Sequence, residues 1–250
     1  MKDTSLLRYS RQIMLSGFDI VGQQRLIDAT VLVVGMGGLG CPSAMYLSSA
    51  GVGNMIIVDD DIVELTNLQR QIAHTENDLG QSKVDSAKRT LESLNPDVNV
   101  VSINERVDPA RLGELAELAD VVVDACDNFA TRFAVNQAAI EARKPLVSGA
   151  AIRMEGQVAV FDSRNPVSPC YQCLCRPGGS EENSCTANGV LSPVVGVIGS
   201  LQALETIKVI VNYGEPLIGR MLIFDGFAMS WREVKLPRNS NCAACRQRQD

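Results

Sequence analysis

A chain of 250 residues with 46% hydrophobic residues and a net charge of −6 has room for one large α/β domain, or one domain with an appendage. The acidic balance leaves no basic surface for nucleic acid or an anionic membrane. With no apolar run of spanning length and no signal-peptide pattern at the start, a soluble cytoplasmic protein is expected, so the eight cysteines point to metal ligation or chemistry rather than to disulfides.

Taken in order, Leu6 to Leu15 has helical apolar spacing, with Arg8 and Arg11 three apart on one face, which reads at first as a solvated surface. Gly17 interrupts, and Asp19 to Ala29 is a second short helix. Val31 to Val34 is the first strand. Pro42 to Ala50 is a helix closed by Gly51 and Gly53, and Asn54 to Val58 is the second strand. Asp61 to Gln71 is too polar for core and sits beyond a strand's C-terminal end, where open α/β sheets bind ligands. Ser82 to Leu94 is a helix stopped by Asn95-Pro96. Lys83 lies in its first turn, where the dipole disfavours a cation. It is either an ordinary surface lysine or the partner of a bound anion.

Val98 to Ile103, Asp120 to Ala125, Leu146 to Ser148 and Gly156 to Phe161 read as further strands. Helices are expected over Pro109 to Leu118 and from about Ala130 to Ala142. Asp127, at the end of the fourth strand, is either a helix cap or a metal-holding carboxylate. Alternating strands and helices argue a Rossmann-like, mostly parallel sheet with helices on both faces. Ser163 to Asn188 is an irregular Pro-, Gly- and Cys-rich loop, and Pro193 to Val211 returns to helix. Met221 to Phe224 and Trp231 to Leu236 close the fold as an antiparallel pair ahead of a cysteine-bearing tail. The expected organisation is a single domain over 1–250. It comprises N-terminal helices (1–29), a nucleotide-binding core (30–162), a crossover loop (163–189) and a C-terminal part (190–250).

The stretch Gly35-Met36-Gly37-Gly38-Leu39-Gly40 is a G-x-G-x-x-G pattern directly after a strand. Gly35 makes the turn, Gly37 lets a phosphate approach, and Gly40 lets the helix pack closely on the strand. The helix N-terminus that follows suits an anion. Asp59, about 20 residues on, stands where a carboxylate commonly holds ribose hydroxyls. Cys170 with Cys173 and Cys242 with Cys245 form two C-x-x-C pairs. Four thiolates suit a structural zinc that staples the loop to the tail, whereas a redox dithiol needs only one pair. Cys41 and Cys126 read as packing residues. Cys185 lies in a polar loop where an accessible thiol would be nucleophilic, although its acidic neighbours oppose that.

Three function classes compete: a nicotinamide-dependent dehydrogenase, an ATP-using nucleotidyltransferase, and a zinc-containing binding module without catalysis. No Walker A sequence is present. Arg70 and Lys83 supply cations, and Asp127 a carboxylate for Mg²⁺, which suits charge developing on phosphate. Hydride transfer needs a proton donor or acceptor, and His74 is the single histidine. A carboxylate attacking an α-phosphate is already ionised at neutral pH and needs no base.

The chain resembles the E1-like, ubiquitin-activating-like adenylyltransferases of bacterial sulfur carrier proteins across nearly its whole length. The resemblance rests on Arg8-Tyr9-Ser10-Arg11-Gln12, the Gly-rich turn, Asn67-Leu68-Gln69-Arg70-Gln71, Lys83, Asp127-Asn128 and both cysteine pairs. It implies that ATP lies on Gly38 and Asp59, among Asp61, Thr66, Asn67, Leu68, Gln69, Arg70, Lys83, Cys126, Asp127, Asn128 and Phe129. It also implies that Asn67, Arg70 and Lys83 contact phosphates, that Asp127 serves Mg²⁺, and that Arg11 reaches into the partner's site of a homodimer. The implied reaction adenylates the C-terminal glycine of a ubiquitin-like carrier ending in Gly-Gly. The carrier's tail is expected to thread near Cys185, which is assigned at most a later covalent step. Ser148 to Gln157 resembles the molybdopterin branch of the family. Phe224-Asp225-Gly226 and Trp231-Arg232 resemble the thiazole (thiamine) branch. The molybdopterin branch is preferred on loop similarity. With no rhodanese-like segment expected, sulfur is expected from a separate donor such as a cysteine desulfurase or rhodanese.

Overall fold

In the computed structural model, which describes residues 1–175 and 189–246, the chain folds around one eight-stranded mixed sheet. The strands are β1 (Thr30–Val34), β2 (Asn54–Val58), β3 (Asn99–Ile103), β4 (Val121–Asp124), β5 (Pro145–Ile152), β6 (Glu155–Asp162), β7 (Arg220–Asp225) and β8 (Ser230–Lys235). Their order is β3-β2-β1-β4-β5-β6-β7-β8. From β3 to β5 neighbours are parallel, and from β5 onward they are antiparallel. The parallel half is the expected Rossmann-like core. Chain direction first reverses at the β5–β6 hairpin, so the nucleotide-type half and the antiparallel half share one continuous sheet.

Period-two alternation decides which helices cover which face. Val31, Val33, Met55 and Ile57 point into one core, with Leu26 of α3 (Asp19–Asp28), Leu47 of α4 (Gly40–Ala50) and Leu91 of α5 (Lys83–Leu94). Leu32, Val34, Ile56 and Val58 point the other way. They meet Leu112 and Leu115 of α6 (Pro109–Leu118) and Val135 of α7 (Phe129–Glu141). Both faces of the central strands are apolar because both are covered. The helix starts follow local chemistry. Ser82 caps α5 by accepting from Asp85 N–H, and Asp108 caps α6 by accepting from Arg111 N–H, with Pro109 in the first turn.

Several expected boundaries shift. The N-terminal helix is broken at Tyr9 into α1 (Asp3–Arg8) and α2 (Ser10–Ile13). The cause is tertiary: the buried Tyr9 hydroxyl accepts from Asn95 Nδ2, and that bond fixes the bend. Helix α4 begins two residues before Pro42, and β5 and β6 both extend beyond their expected limits to form the hairpin. The loop after β6 contains a short helix, α8 (Tyr171–Leu174), hidden from sequence reading by its length. Helix α9 (Ser192–Val211) has 20 residues and is apolar enough to cross a membrane by length and composition, contrary to the expectation that no such run exists. Half of its apolar window is buried inside the fold, and it carries buried Gln202, Glu205 and Thr206. Gln202 Nε2 donates to the Asp124 carbonyl at 2.7 Å, so the helix is a core element packed across the sheet.

Leu47 has no exposed surface and contributes to the core between α4 and the sheet. Leu47→Ala is expected to cost about 2–5 kcal/mol of unfolding free energy, read by urea denaturation, because the site cannot fully collapse.

Candidate functional site

The Gly-rich turn, the polar loop after β2 and the turn after β4 enclose one cavity of about 390 Å³ at the C-terminal ends of the parallel strands. Gly35, Gly37, Gly38, Asp59, Asp61, Gln69, Arg70, Gln71, Lys83, Cys126, Asp127 and Arg132 line it. A second cavity of about 280 Å³ shares Gly35, Asp59, Asp61, Cys126 and Asp127 with the first and adds Asp60 and Asn128. A larger one, about 620 Å³, lies at the opposite end of the sheet between Arg25, Asp120 and Lys144, away from the Gly-rich turn.

Gly35 and Gly40 shape the turn as expected. Gly35 has φ +98°, a left-handed conformation, and a Cβ there would lie 2.8 Å from the Ala125 carbonyl oxygen. A Cβ on Gly40 would lie 1.8 Å from the Gly35 carbonyl oxygen, so the helix start and the strand end can meet only without one. Asp59 is not a free carboxylate. It accepts from the Met36 N–H at 2.7 Å and from the Asp61 N–H at 2.9 Å, bracing the turn and its own loop together. Burial pushes its carboxyl up from the ordinary value, and nearby Lys83 opposes that shift.

Lys83 is not a surface lysine: it is 5% exposed and its Nζ sits 2.7 Å from Asp61 Oδ2, at the cavity wall. Arg70 is tethered through Nη1 to the Thr66 carbonyl, 3.1 Å away. Asn67 spends its side-chain oxygen on the Glu64 N–H as a helix cap. Thr66, Asn67 and Leu68 stand outside the lining of the 390 Å³ cavity, as does Phe129, which lines a neighbouring apolar cavity with Tyr171. Asp127 does not cap α7; Asn128 does, accepting from the Thr131 N–H. The Asp127 carboxylate is exposed, lines both cavities and, among the described residues, takes a long 3.4 Å contact from Asn128 Nδ2. A hard oxygen donor so placed fits Mg²⁺.

Arg11 is exposed on α2. Its neighbour Gln12 donates to the Ala50 carbonyl at the C-terminal end of α4, whereas α4 begins at the Gly-rich turn. The point where α2 is anchored, beside Arg11, is therefore roughly 16 Å, one length of that helix, from the Gly-rich turn. Cys185 lies outside the described residues.

Sequence reasoning missed Arg132. Its buried guanidinium donates to Asp124 Oδ2 (3.1 Å), Ser148 Oγ (3.3 Å), the Gly149 carbonyl (2.7 Å) and the Cys126 carbonyl. It thereby fixes the turn bearing Asp127. The one signal for it in the sequence is position: four residues after Asn128, it shares that cap's helical face. Val190 and Val195 in the cavity wall were also missed, and Gln71 was read within its motif without a role of its own.

The four paired cysteines converge. Cys170 Sγ lies 3.8 Å from Cys173 and 3.6 Å from Cys242, and Cys173 lies 3.6 Å from Cys245. A tetrahedron of Zn–S bonds near 2.3 Å has sulfur–sulfur edges of about 3.8 Å, so the donor set fits zinc. Cys41 and Cys126 are buried, as expected of packing residues. Burial pushes the Cys41 thiol up to about 12 and raises Cys126 as well, which keeps both protonated. Cys175, left open by the sequence, is half-buried against the second core.

The profile of the ThiF family matches residues 9–244. The chain is 47% identical over 247 residues to the molybdopterin-synthase adenylyltransferase of Escherichia coli (strain K12), covering 99% of each. It is 46% identical over 248 residues to the adenylyltransferase and sulfurtransferase MOCS3 of Culex quinquefasciatus, covering 98% of this chain and 56% of that one. Its fold is similar to the solved structure of E. coli MccB with ATP, at 27% identity and TM-score 0.85, over 95% of this chain and 73% of that one.

Elemental analysis of the chain is expected to return one zinc per chain. Cys170→Ser is expected to lower both zinc content and melting temperature, since four protein ligands leave no open position and make the metal structural. Well under one zinc in the unsubstituted protein would refute that assignment.

Proposed function

Because the chain belongs to the ThiF family, we propose that it adenylates the C-terminal carboxylate of a ubiquitin-like sulfur carrier with ATP, releasing pyrophosphate, in molybdopterin synthesis. The observation that carries this reading is the single cavity that gathers the Gly-rich turn, Arg70, Lys83 and Asp127. The names of the near-full-length relatives favour the molybdopterin branch over the thiazole branch, as loop similarity already did.

The chemistry asks little covalent help from the protein. A carboxylate oxygen of the carrier's terminal glycine attacks the α-phosphorus of ATP. The bond from that phosphorus to the oxygen bridging α and β breaks, and pyrophosphate leaves with the electron pair. The product is a mixed anhydride of carrier and AMP. The attacking group is ionised at neutral pH, so no base is required. The helix N-terminus after the Gly-rich turn binds phosphate through its free N–H groups. In this reading Arg70 and Lys83 face the phosphates, Asp59 and its loop hold the ribose end, and the Asp124–Arg132 clamp keeps Asp127 in place. Asp127 would hold Mg²⁺, which when bound spreads the negative charge of the phosphates. The chain acts as a single domain, zinc ties its tail to the loop after β6, and the sulfur donor is a separate protein.

The anchor point of α2 beside Arg11 lies one helix length from the Gly-rich turn, which supports an assignment in trans, the Arg11 guanidinium serving the partner's phosphates across a two-fold axis. Assembly then becomes a condition of catalysis.

With cognate carrier and Mg²⁺ the protein is expected to exchange labelled pyrophosphate into ATP. Asp127→Ala should cut that exchange at least about a hundredfold, the scale of a major electrostatic contact. Exchange without any need for carrier, or hydride transfer from NADH, would sink the reading. Subunit mixing tests the trans assignment. Arg11→Ala and Asp127→Ala homodimers should each be nearly inactive. Full exchange of equal amounts makes half the dimers mixed, each with one intact site, so about a quarter of full activity returns for an isologous dimer. No recovery after mass-verified exchange would withdraw the trans role.

A further inference from the structure

We propose that His74, the one histidine of the chain, is a positioning residue that locks the three phosphate-facing segments of the cavity into one register; this rests on the ATP reading above. The imidazole is 5% exposed. Its Nε2 lies 3.2 Å from the Met36 carbonyl oxygen, inside the Gly-rich turn. Its Nδ1 lies 2.8 Å from Ser86 Oγ, on α5, three residues past Lys83. His74 itself ends the loop that carries Arg70, and its N–H donates to the Gln71 carbonyl. Gly38, Arg70 and Lys83 thus belong to three segments that this ring touches in common.

The ring's chemistry follows from its partners. In this proposal the proton is on Nε2, which donates to the Met36 carbonyl, with Nδ1 accepting from the Ser86 hydroxyl; Cys41 Sγ also lies 3.7 Å from Nε2, and the Asp78 carboxylate competes for the same hydroxyl. Burial lowers the imidazole pKa, in keeping with the neutral form that this pattern requires. The Met36 peptide is then held on both sides, its N–H by Asp59 and its carbonyl by His74, with the Cys41 thiol as a second donor at 3.3 Å. That fixes the plane of the peptide preceding Gly37 and hence the aim of the N–H groups that follow. On the other side, Thr90 Oγ1 donates to the Ala73 carbonyl at 2.7 Å and holds the ring's own backbone against α5. Neither ring nitrogen lines the cavity, so the role is positional.

The test compares ATP binding, by calorimetry, and pyrophosphate-exchange kinetics in the full-length protein with His74→Phe and His74→Gln. Phe keeps ring volume and removes both bonds. It is expected to weaken ATP binding and raise the KM for ATP about tenfold or more, as loosened positioning does, while the KM for carrier stays unchanged. Gln keeps a donor for Met36 and should recover part of the loss. A folded His74→Phe protein whose ATP affinity stays within about twofold of the unsubstituted protein's overturns the proposal. If His74→Phe fails to fold, nitrogen NMR of the unsubstituted protein decides, since one histidine gives one pair of ring signals. A neutral Nε2–H tautomer whose signals shift on adding MgATP supports the role. A charged ring, the other tautomer, or signals indifferent to MgATP overturns it. Absence of ATP binding by the unsubstituted protein would overturn the adenylation reading and this proposal together, and so is distinguishable from failure of His74 alone.

Discussion

The buried pair of Arg132 and Asp124 is the constraint on which the site depends. Their side chains are 7% and 1% exposed, deep enough that removing water from either charge costs several kcal/mol. Such a pair persists only where every donor finds an acceptor. Here Asp124 also takes the Ser148 hydroxyl at 2.7 Å and the Cys126 N–H at 3.1 Å, while the guanidinium also reaches Ser148 and two main-chain carbonyls. The acceptors come from β4, from the turn after it and from β5. The pair therefore joins the last parallel strands to the turn that carries Asp127, and breaking it would leave an uncompensated charge in the interior.

How much of this was legible in the sequence depends on the range of the interactions. The Gly-rich turn was readable because its glycines answer local problems: a positive φ at Gly35 and a near-contact between Gly40 and Gly35. The strands β1, β2 and β4 were readable from runs of β-branched residues, and α5, α6 and α9 from spacing and caps. What was hidden is set by partners distant in the chain. Lys83 was read as a phosphate contact, but its pairing with Asp61, 22 residues earlier, was not foreseen. Asp59 was assigned to ribose, whereas both its oxygens also brace backbone N–H groups. The break at Tyr9 depends on Asn95, 86 residues later. Arg132 has no local mark beyond its place on the helical face of Asn128, and it is the fold that buries it.

The cysteine cluster shows the same division. Pair spacing announced a metal-type site, yet the sequence could not say what the site would hold beside it. Tyr171, directly after Cys170, packs against Phe133 and Phe161 and lies over the Arg132 guanidinium, 5.9 Å from its ring centre. Its N–H donates to Asn136 on α7 at 2.8 Å. The knot between loop and tail thus leans on α7, the helix that begins just after Asp127.

The burial of the ionisable groups beneath the Gly-rich turn has a consequence for how the molecule meets acid and base. The imidazole of His74 is pushed toward neutrality, and the thiols of Cys41 and Cys126 are pushed away from ionisation. These three groups, whose ordinary values fall nearest the neutral range, are thereby withdrawn from it. These three groups keep their charge state through modest swings in proton activity. Asp59, beside the same turn, moves the other way: burial raises its carboxyl toward the neutral range, so in a slightly acidified cell the field met by a phosphate chain changes first at that carboxylate.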